Sequence, residues 1–197
     1  KSSCTKTKPI ISKLVGSEYA PAMNFIIEND VMNLCPGKDA STDLQIQQRF
    51  YLATIYFKTN GPQWRFSRES SPSKFRNGVR WLSKSSECSW DGVACTNDIV
   101  TKINLSSKYL FGVLPSEFSA FPLLIELDLY SNSLNGNIPE AFEKLTKLES
   151  LDLGTNQLAG SIPNIFRNMQ SLQSVYLESN FFKGDLPASL CANIDSN

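Results

Sequence analysis

The stretch Leu148-Glu149-Ser150-Leu151-Asp152-Leu153-Gly154-Thr155-Asn156-Gln157-Leu158-Ala159-Gly160-Ser161-Ile162-Pro163 decides the fold, because its landmarks recur every 24 residues. Leu124, Leu148 and Leu172 are one period apart, as are Leu127, Leu151 and Val175, and Leu129, Leu153 and Leu177. The same beat carries Asn132, Asn156 and Asn180, then Gly136, Gly160 and Gly184, Pro139, Pro163 and Pro187, and Phe142, Phe166 and Leu190. An earlier copy reads Val100, Ile103, Leu105, Leu110, Gly112, Pro115 and Phe118, with Lys108 where the later copies have Asn. A fixed period of this length predicts a solenoid of stacked coils.

Each position has a physical role. Leu-x-Leu, as in Leu127-Asp128-Leu129, predicts a short strand with one buried face, since side chains alternate along a strand. The Asn column can bond the unpaired backbone groups of a neighbouring coil at each turn. Gly and Pro then complete the corner, and Phe118, Phe142, Phe166 and Leu190 fill the space behind the strand. No coil can bury these residues alone, so stacking is obligatory.

Working outward from the repeats, Val93 to Cys95 and Ile99 to Leu105 are expected to pair as a hairpin around Thr96-Asn97-Asp98, closing the edge of the first repeat strand. Upstream, Ile46, Phe50, Ala53 and Phe57 fall on one helical face, widened by Leu52 and Ile55. Thr42 with Gln45 forms a capping box, and Asn60-Gly61-Pro62 stops the helix. A shorter helix is expected from Ala22 to Met32, before the turn Cys35-Pro36-Gly37, and the Ser-rich stretch Ser67 to Ser73 reads as a loose loop.

Among 197 residues, 41% are apolar, which excludes general disorder, and Lys, Arg or Glu interrupts every long apolar stretch, which excludes a membrane span. Nothing at Lys1-Ser2-Ser3-Cys4 reads as a signal peptide, so a mature or trimmed product is expected. The zero net charge is unevenly spread. Residues 1–95 carry 13 Lys and Arg against 8 Asp and Glu, and residues 96–197 carry 6 against 11, so the halves hold +5 and −5. The basic loop through Arg65, Arg68, Lys74, Arg76, Arg80 and Lys84 lacks interleaved stacking aromatics, which points to a solvated surface and away from nucleic acid. The five cysteines, with no Cys-x-x-Cys pair and no histidine, favour disulfides over a metal site, and disulfides imply an oxidising compartment.

Residues Leu148 to Pro163 closely resemble the plant-type leucine-rich repeat, a pattern also abundant in secreted algal proteins, including those of diatoms. Cys88-Ser89-Trp90-Asp91-Gly92-Val93-Ala94-Cys95 resembles the end of the N-terminal cap of such proteins. The helix Gln48 to Phe57, Thr59 to Trp64 and Trp81-Leu82 are similar to the algal form of that cap. The resemblance runs from Ser41 to Cys191, more weakly over Ala20 to Pro36. It implies an α/β leucine-rich repeat solenoid with a helical, disulfide-bonded cap. The expected organisation is a leader at 1–40, the cap at 41–98, four repeats at 99–191 and the start of a C-terminal end at 192–197. It also implies a Cys88–Cys95 disulfide, which leaves Cys4 with Cys35 as the remaining pair. Cys191 would belong to a C-terminal cap beyond Asn197 or bond another chain.

If the strands form one parallel sheet, the residues between the buried leucines line its concave side. Strands about 4.8 Å apart would set Asp128 beside Asp152. Two such carboxylates suit a retaining glycosidase or a calcium ion, but Asp is ordinary at this repeat position and no roof is visible, so no enzyme and no metal site are expected. Nothing in the sequence calls for a cofactor: there is no phosphate-binding Gly-rich loop, no dinucleotide fingerprint and no histidine for a catalytic triad. The acidic and aromatic residues Glu126, Asp128, Tyr130, Asp152, Tyr176 and Glu178 are the expected binding group, since Tyr is favoured at binding surfaces. Asn104-Leu105-Ser106 is a glycosylation sequon on the same face. The hydroxyl column Ser107, Ser131, Thr155 and Ser179 reads as corner chemistry. By resemblance to receptor ectodomains and polygalacturonase-inhibiting proteins, the expected role is extracellular recognition of a protein, peptide or cell-wall glycan. The alternatives are a structural component of a matrix or fibre, joined through Cys191 or the last coil, and behind it a polysaccharide hydrolase or an ice-binding protein.

Overall fold

The computed structural model describes residues 17–26, 40–64 and 79–190. Its elements are α1 (Ala20–Asn24), α2 (Ala40–Lys58), β1 (Val93–Thr96), β2 (Ile99–Asn104), β3 (Phe111–Val113), β4 (Glu126–Asp128), β5 (Ser133–Gly136), β6 (Ser150–Asp152), β7 (Gln157–Gly160), β8 (Ser174–Tyr176) and β9 (Phe181–Phe182). Each Leu-x-Leu becomes a strand, and these stack as one sheet in the order β1-β2-β4-β6-β8. The β1–β2 pair is the antiparallel hairpin, and the later pairs are parallel with residues 24 apart in register: Ile103 with Leu127, Leu127 with Leu151, Leu151 with Val175. The repeat period and the ladder register therefore coincide on this side.

A second parallel sheet, β3-β5-β7-β9, occupies the region that the sequence predicts only as a Gly-Pro corner. Here partners are 22 residues apart, as in Phe111 with Ser133 and Asn135 with Gln157. The strands are short because Gly136 and Gly160, at φ +80° and +76°, turn the chain in a region that β-carbons disfavour. Between the two sheets lies a continuous apolar core: Leu127, Leu151, Leu134, Leu158, Phe118, Phe142 and Phe166 are all fully buried.

The Asn column ties coil to coil. Asn156 Oδ1 accepts from Leu134 N at 3.0 Å, and its amide donates to Leu129 O at 2.9 Å and to Leu153 O and Gly154 O at 3.2 Å. Asn132 and Asn180 repeat the pattern toward their preceding coils. Lys108, standing in the Asn position of the first coil, forms a buried ion pair with Asp91 of the cap.

The cap helix α2 is more deeply embedded than a one-faced helix requires. Ile46, Phe50, Leu52, Ala53 and Ile55 are buried as the pattern suggests, and so are the polar Gln48, Arg49 and Thr54. Arg49 donates to Glu87 Oε2 (3.3 Å), Ser85 O (2.9 Å) and Ser83 O (3.2 Å), and its guanidinium lies 4.9 Å from the Trp90 ring centroid. Gln48 donates to Glu87 Oε1 at 3.1 Å and accepts from Val100 N at 2.8 Å. Burial pushes the Glu87 carboxyl upward, while its own backbone N–H and Arg49 pull it back down. Asn60, at φ +59°, ends α2 where Asn60-Gly61-Pro62 predicts. The Thr42 side chain, the helix expected beyond residue 26 and the loop at 65–78 lie outside the described residues.

Cys88 and Cys95 are disulfide-bonded, with their Cα atoms 5.4 Å apart. Trp90 between them is 1% exposed and closes the N-terminal end of the core, touching Phe25 and Trp81. Cys4, Cys35 and Cys191 lie outside the described residues.

Candidate concave binding face

The parallel register fixes the concave columns. Lys102, Glu126, Ser150 and Ser174 form one, and Asn104, Asp128, Asp152 and Tyr176 the next. Beyond the strands, Ser131 N donates to Gly154 O and Thr155 N to Glu178 O, so Tyr130, Gly154 and Glu178 stand in a third. All six residues of the expected binding group thus share this face.

Their environments differ along the array. At the cap end the acids are already engaged: Glu126 pairs with Lys102 at 2.8 Å, and Asn104 donates to Asp128 Oδ2 at 2.7 Å. Asp128 Oδ1 also accepts from Tyr130 N at 3.0 Å, a local turn that Asp152 repeats by accepting from Gly154 N at 2.9 Å. Further along, Gly154 leaves a notch. A β-carbon there would lie 2.6 Å from Glu178 Oε1 and 3.2 Å from Asp152 Oδ1, so any other residue would displace the end of the Glu178 side chain from this position. Burial pushes the Asp152 carboxyl above its ordinary range, opposed by the Gly154 N–H and reinforced by Asp128 and Glu178. Tyr130 and Tyr176, 41% and 49% exposed, flank the notch. Beyond the Lys102–Glu126 pair, Asp128, Asp152 and Glu178 have no ion-pair partner among the described contacts, and the last two lie between the two tyrosines.

Asn104 is exposed, and its Oδ1 accepts from Ser106 Oγ (2.8 Å) and Ser106 N (3.2 Å). A glycan on it would compete with the Asp128 contact. The hydroxyl column Ser107, Ser131, Thr155 and Ser179 sits at φ +53° to +55°, the left-handed corner after each strand. Among the described residues no group of three or more His, Cys, Asp or Glu is arranged to hold a metal ion, and no helix is long and apolar enough to cross a membrane. One surface is not anticipated by the sequence: Tyr109, Phe111 and Val113, 63%, 56% and 62% exposed, and Phe181 at 64% belong to the second sheet and its approach. The alternation Phe111-Gly112-Val113 is the signal that could have revealed it.

A family model described as leucine rich repeat matches residues 100–158 and 139–182. No curated protein matches the chain. Among solved structures, it is similar to PEPR1–AtPEP1, at 26% identity and a TM-score of 0.56, covering 72% of this chain and 19% of that one. The BIR3–SERK2 complex from Arabidopsis thaliana shows 29% identity and a TM-score of 0.54, covering 69% of this chain and 73% of that one. The ectodomain of the Arabidopsis receptor kinase HAESA, solved with an IDA peptide hormone ligand, shows 28% identity and a TM-score of 0.50. The match covers 75% of this chain and 27% of HAESA. The chain thus spans well under a third of PEPR1 and HAESA.

Proposed function

Because this chain is a leucine-rich repeat protein of the plant type, we propose that it is an extracellular binding module whose concave face takes a basic peptide or a basic segment of a protein. The observation that carries this reading is the notch at Gly154, where Asp152 and Glu178 lie together between Tyr130 and Tyr176. A Lys or Arg side chain there would meet two carboxylates and two ring faces, a combination of charge and cation–π attraction. The negative balance of the repeat half supports steering of such a partner. The HAESA ectodomain was solved with a peptide hormone ligand, which supports a peptide as the partner class. A hydroxyl-rich glycan is the second partner class the face would accept, through the same acids and rings.

The test is binding of Arg- and Lys-bearing peptides against sequence-matched acidic controls at two salt concentrations. Tyr130→Ala with Tyr176→Ala should weaken binding at least about tenfold, roughly 1.4 kcal/mol, and affinity should fall as salt rises. If the double variant stays folded and its affinity remains within about twofold of the parent, the concave assignment is wrong.

A further inference from the structure

The second sheet turns Leu134 and Leu158 into the core, so strand alternation sends their neighbours outward. β3 presents Phe111 and Val113, β5 Ser133 and Asn135, β7 Gln157 and Ala159, and β9 Phe181. None of these is charged, although 19% of the chain is. Lys183 and Asp185 follow β9, at the edge of the sheet.

The face has a definite layout. Val113, Asn135 and Gln157 stand in register across three strands, and Ala159 stands beside Phe181. Phe111 and Phe181, each more than half exposed, lie three strands apart, about 14 Å across the sheet. Between them the surface stays low. A β-carbon at Gly136 would lie 3.1 Å from Val113 Cγ1 and one at Gly160 2.5 Å from Asn137 Oδ1, so both side chains reach across bare backbone. Tyr109, two residues before Phe111, is also exposed and holds φ +64°, a conformation that a bulky residue rarely adopts and that gathers at functional positions.

The amides differ from those of the corner column. Asn132, Asn156 and Asn180 spend theirs on backbone groups, whereas the side chains of Ser133, Asn135 and Gln157 make no hydrogen bond among the described contacts. Each free amide offers both a donor and an acceptor.

We propose that this face binds an uncharged polysaccharide chain of the β-glucan class, laid across β3, β5, β7 and β9. A β-linked glucose ring carries its hydroxyls around the edge and leaves C–H faces above and below, which suit phenylalanine rings, while each hydroxyl donates and accepts as an amide does. A charged polymer would find no countercharge here. A protein interface has an apolar centre and a polar rim, and this face has the reverse, with rings at its ends and uncharged polar groups between them. The separation of the rings calls for a chain of several sugars, because one ring cannot reach both. The site lies on the opposite sheet from the concave face and does not rest on the peptide reading.

The native protein is titrated by calorimetry with cellohexaose, cellobiose and oligogalacturonate, each to about 5 mM, a range that captures weak sites. Cellohexaose should saturate, with cellobiose and oligogalacturonate at least about tenfold weaker. Phe111→Ala with Phe181→Ala, both at exposed positions, should weaken cellohexaose about tenfold or more without lowering the melting temperature. Gln157→Ala, a milder change, should weaken it about threefold. No saturation with cellohexaose overturns the proposal, as does equal affinity for cellobiose or oligogalacturonate, or an affinity that stays within about twofold in the double variant. Loss of cellohexaose binding in Tyr130→Ala with Tyr176→Ala would move the sugar to the concave face. Self-association by light scattering, or arrest of ice growth, that disappears with Phe111→Ala and Phe181→Ala while cellohexaose does not bind would assign the face to a second copy or to ice, and either result refutes the glucan.

Discussion

Replacing Asn156 by alanine tests whether the repeat is held by its polar column as well as by its leucines. Asn156 is 7% exposed. It accepts from Leu134 N at 3.0 Å and donates to Leu129 O at 2.9 Å. Both partners belong to the preceding coil and sit on buried residues, so truncation leaves a donor and an acceptor without replacements. The other two carbonyls, Leu153 O and Gly154 O at 3.2 Å, are more weakly served and lose less. An unsatisfied buried group costs about 1–3 kcal/mol, and partial relief by water at the corner brings the pair to about 2–4 kcal/mol. For a domain of this size that corresponds to a fall in melting temperature of roughly 5–15 °C. The control is Ser150→Ala on the concave face, whose hydroxyl accepts only from Ser174 at 3.0 Å among the described contacts and which should stay within about 0.5 kcal/mol. Urea denaturation with unchanged m-value is the assay, because a loss of cooperativity between coils would show as a change in m. Equal midpoints for the two variants would refute the reasoning, since they would make the Asn column energetically equivalent to a surface hydroxyl.

Lys108→Asn makes the first coil match the other three, yet it should destabilise by about 3 kcal/mol, because it strands the buried Asp91 carboxylate; adding Asp91→Asn should recover much of that loss in the same melts. Reducing the Cys88–Cys95 disulfide, which closes a loop of sequence separation 7, should cost about 2.5 kcal/mol in the chain-entropy account, read as a shift between melts with and without reductant. Asp152 has its carboxyl raised above the unfolded value, so its contribution to stability falls as pH rises through that window, between the ordinary Asp value and the raised one. A basic ligand that needs the carboxylate should bind at full strength above the window and more weakly below it, and Asp152→Asn should flatten that dependence in a calorimetric pH series.

The coils were legible because each residue type recurs at a fixed place in the coil. A single Leu-Asp-Leu is ambiguous, but Leu127, Leu151 and Val175 at equal spacing leave one arrangement that buries them all. The Asn column followed from the same spacing and from the need to pair turn backbone. The second sheet was not legible, because its partners fall 22 residues apart and so do not coincide with the visible period. Gln48 and Arg49 look like solvent-facing residues in their own helix; only the arrival of Glu87, Ser83 and Ser85 makes them buried. The concave column was placed by strand alternation alone, whereas the engagement of Glu126 by Lys102 and the notch at Gly154 depend on side-chain reach, which spacing does not encode. The half-open pocket between the cap and the first coil joins Tyr56, Trp64, Trp81 and Lys108 from separate stretches of chain, and no local pattern announces such a meeting.

The two ladder registers have a geometric consequence. If successive coils were related by pure translation, residues one period apart would face each other in both sheets. They do so on the concave side, but on the other side each strand meets a partner two residues out of step, a slip of about 6.6 Å along the strand. The operation that carries one coil onto the next is therefore a screw, with its small stride on the concave side and its larger one behind. A stiff rod laid across the concave strands would lift off after a few coils, whereas a flexible chain can wind with them. For the proposed concave ligand, the pitch of the array thus favours a chain that can bend over one that cannot.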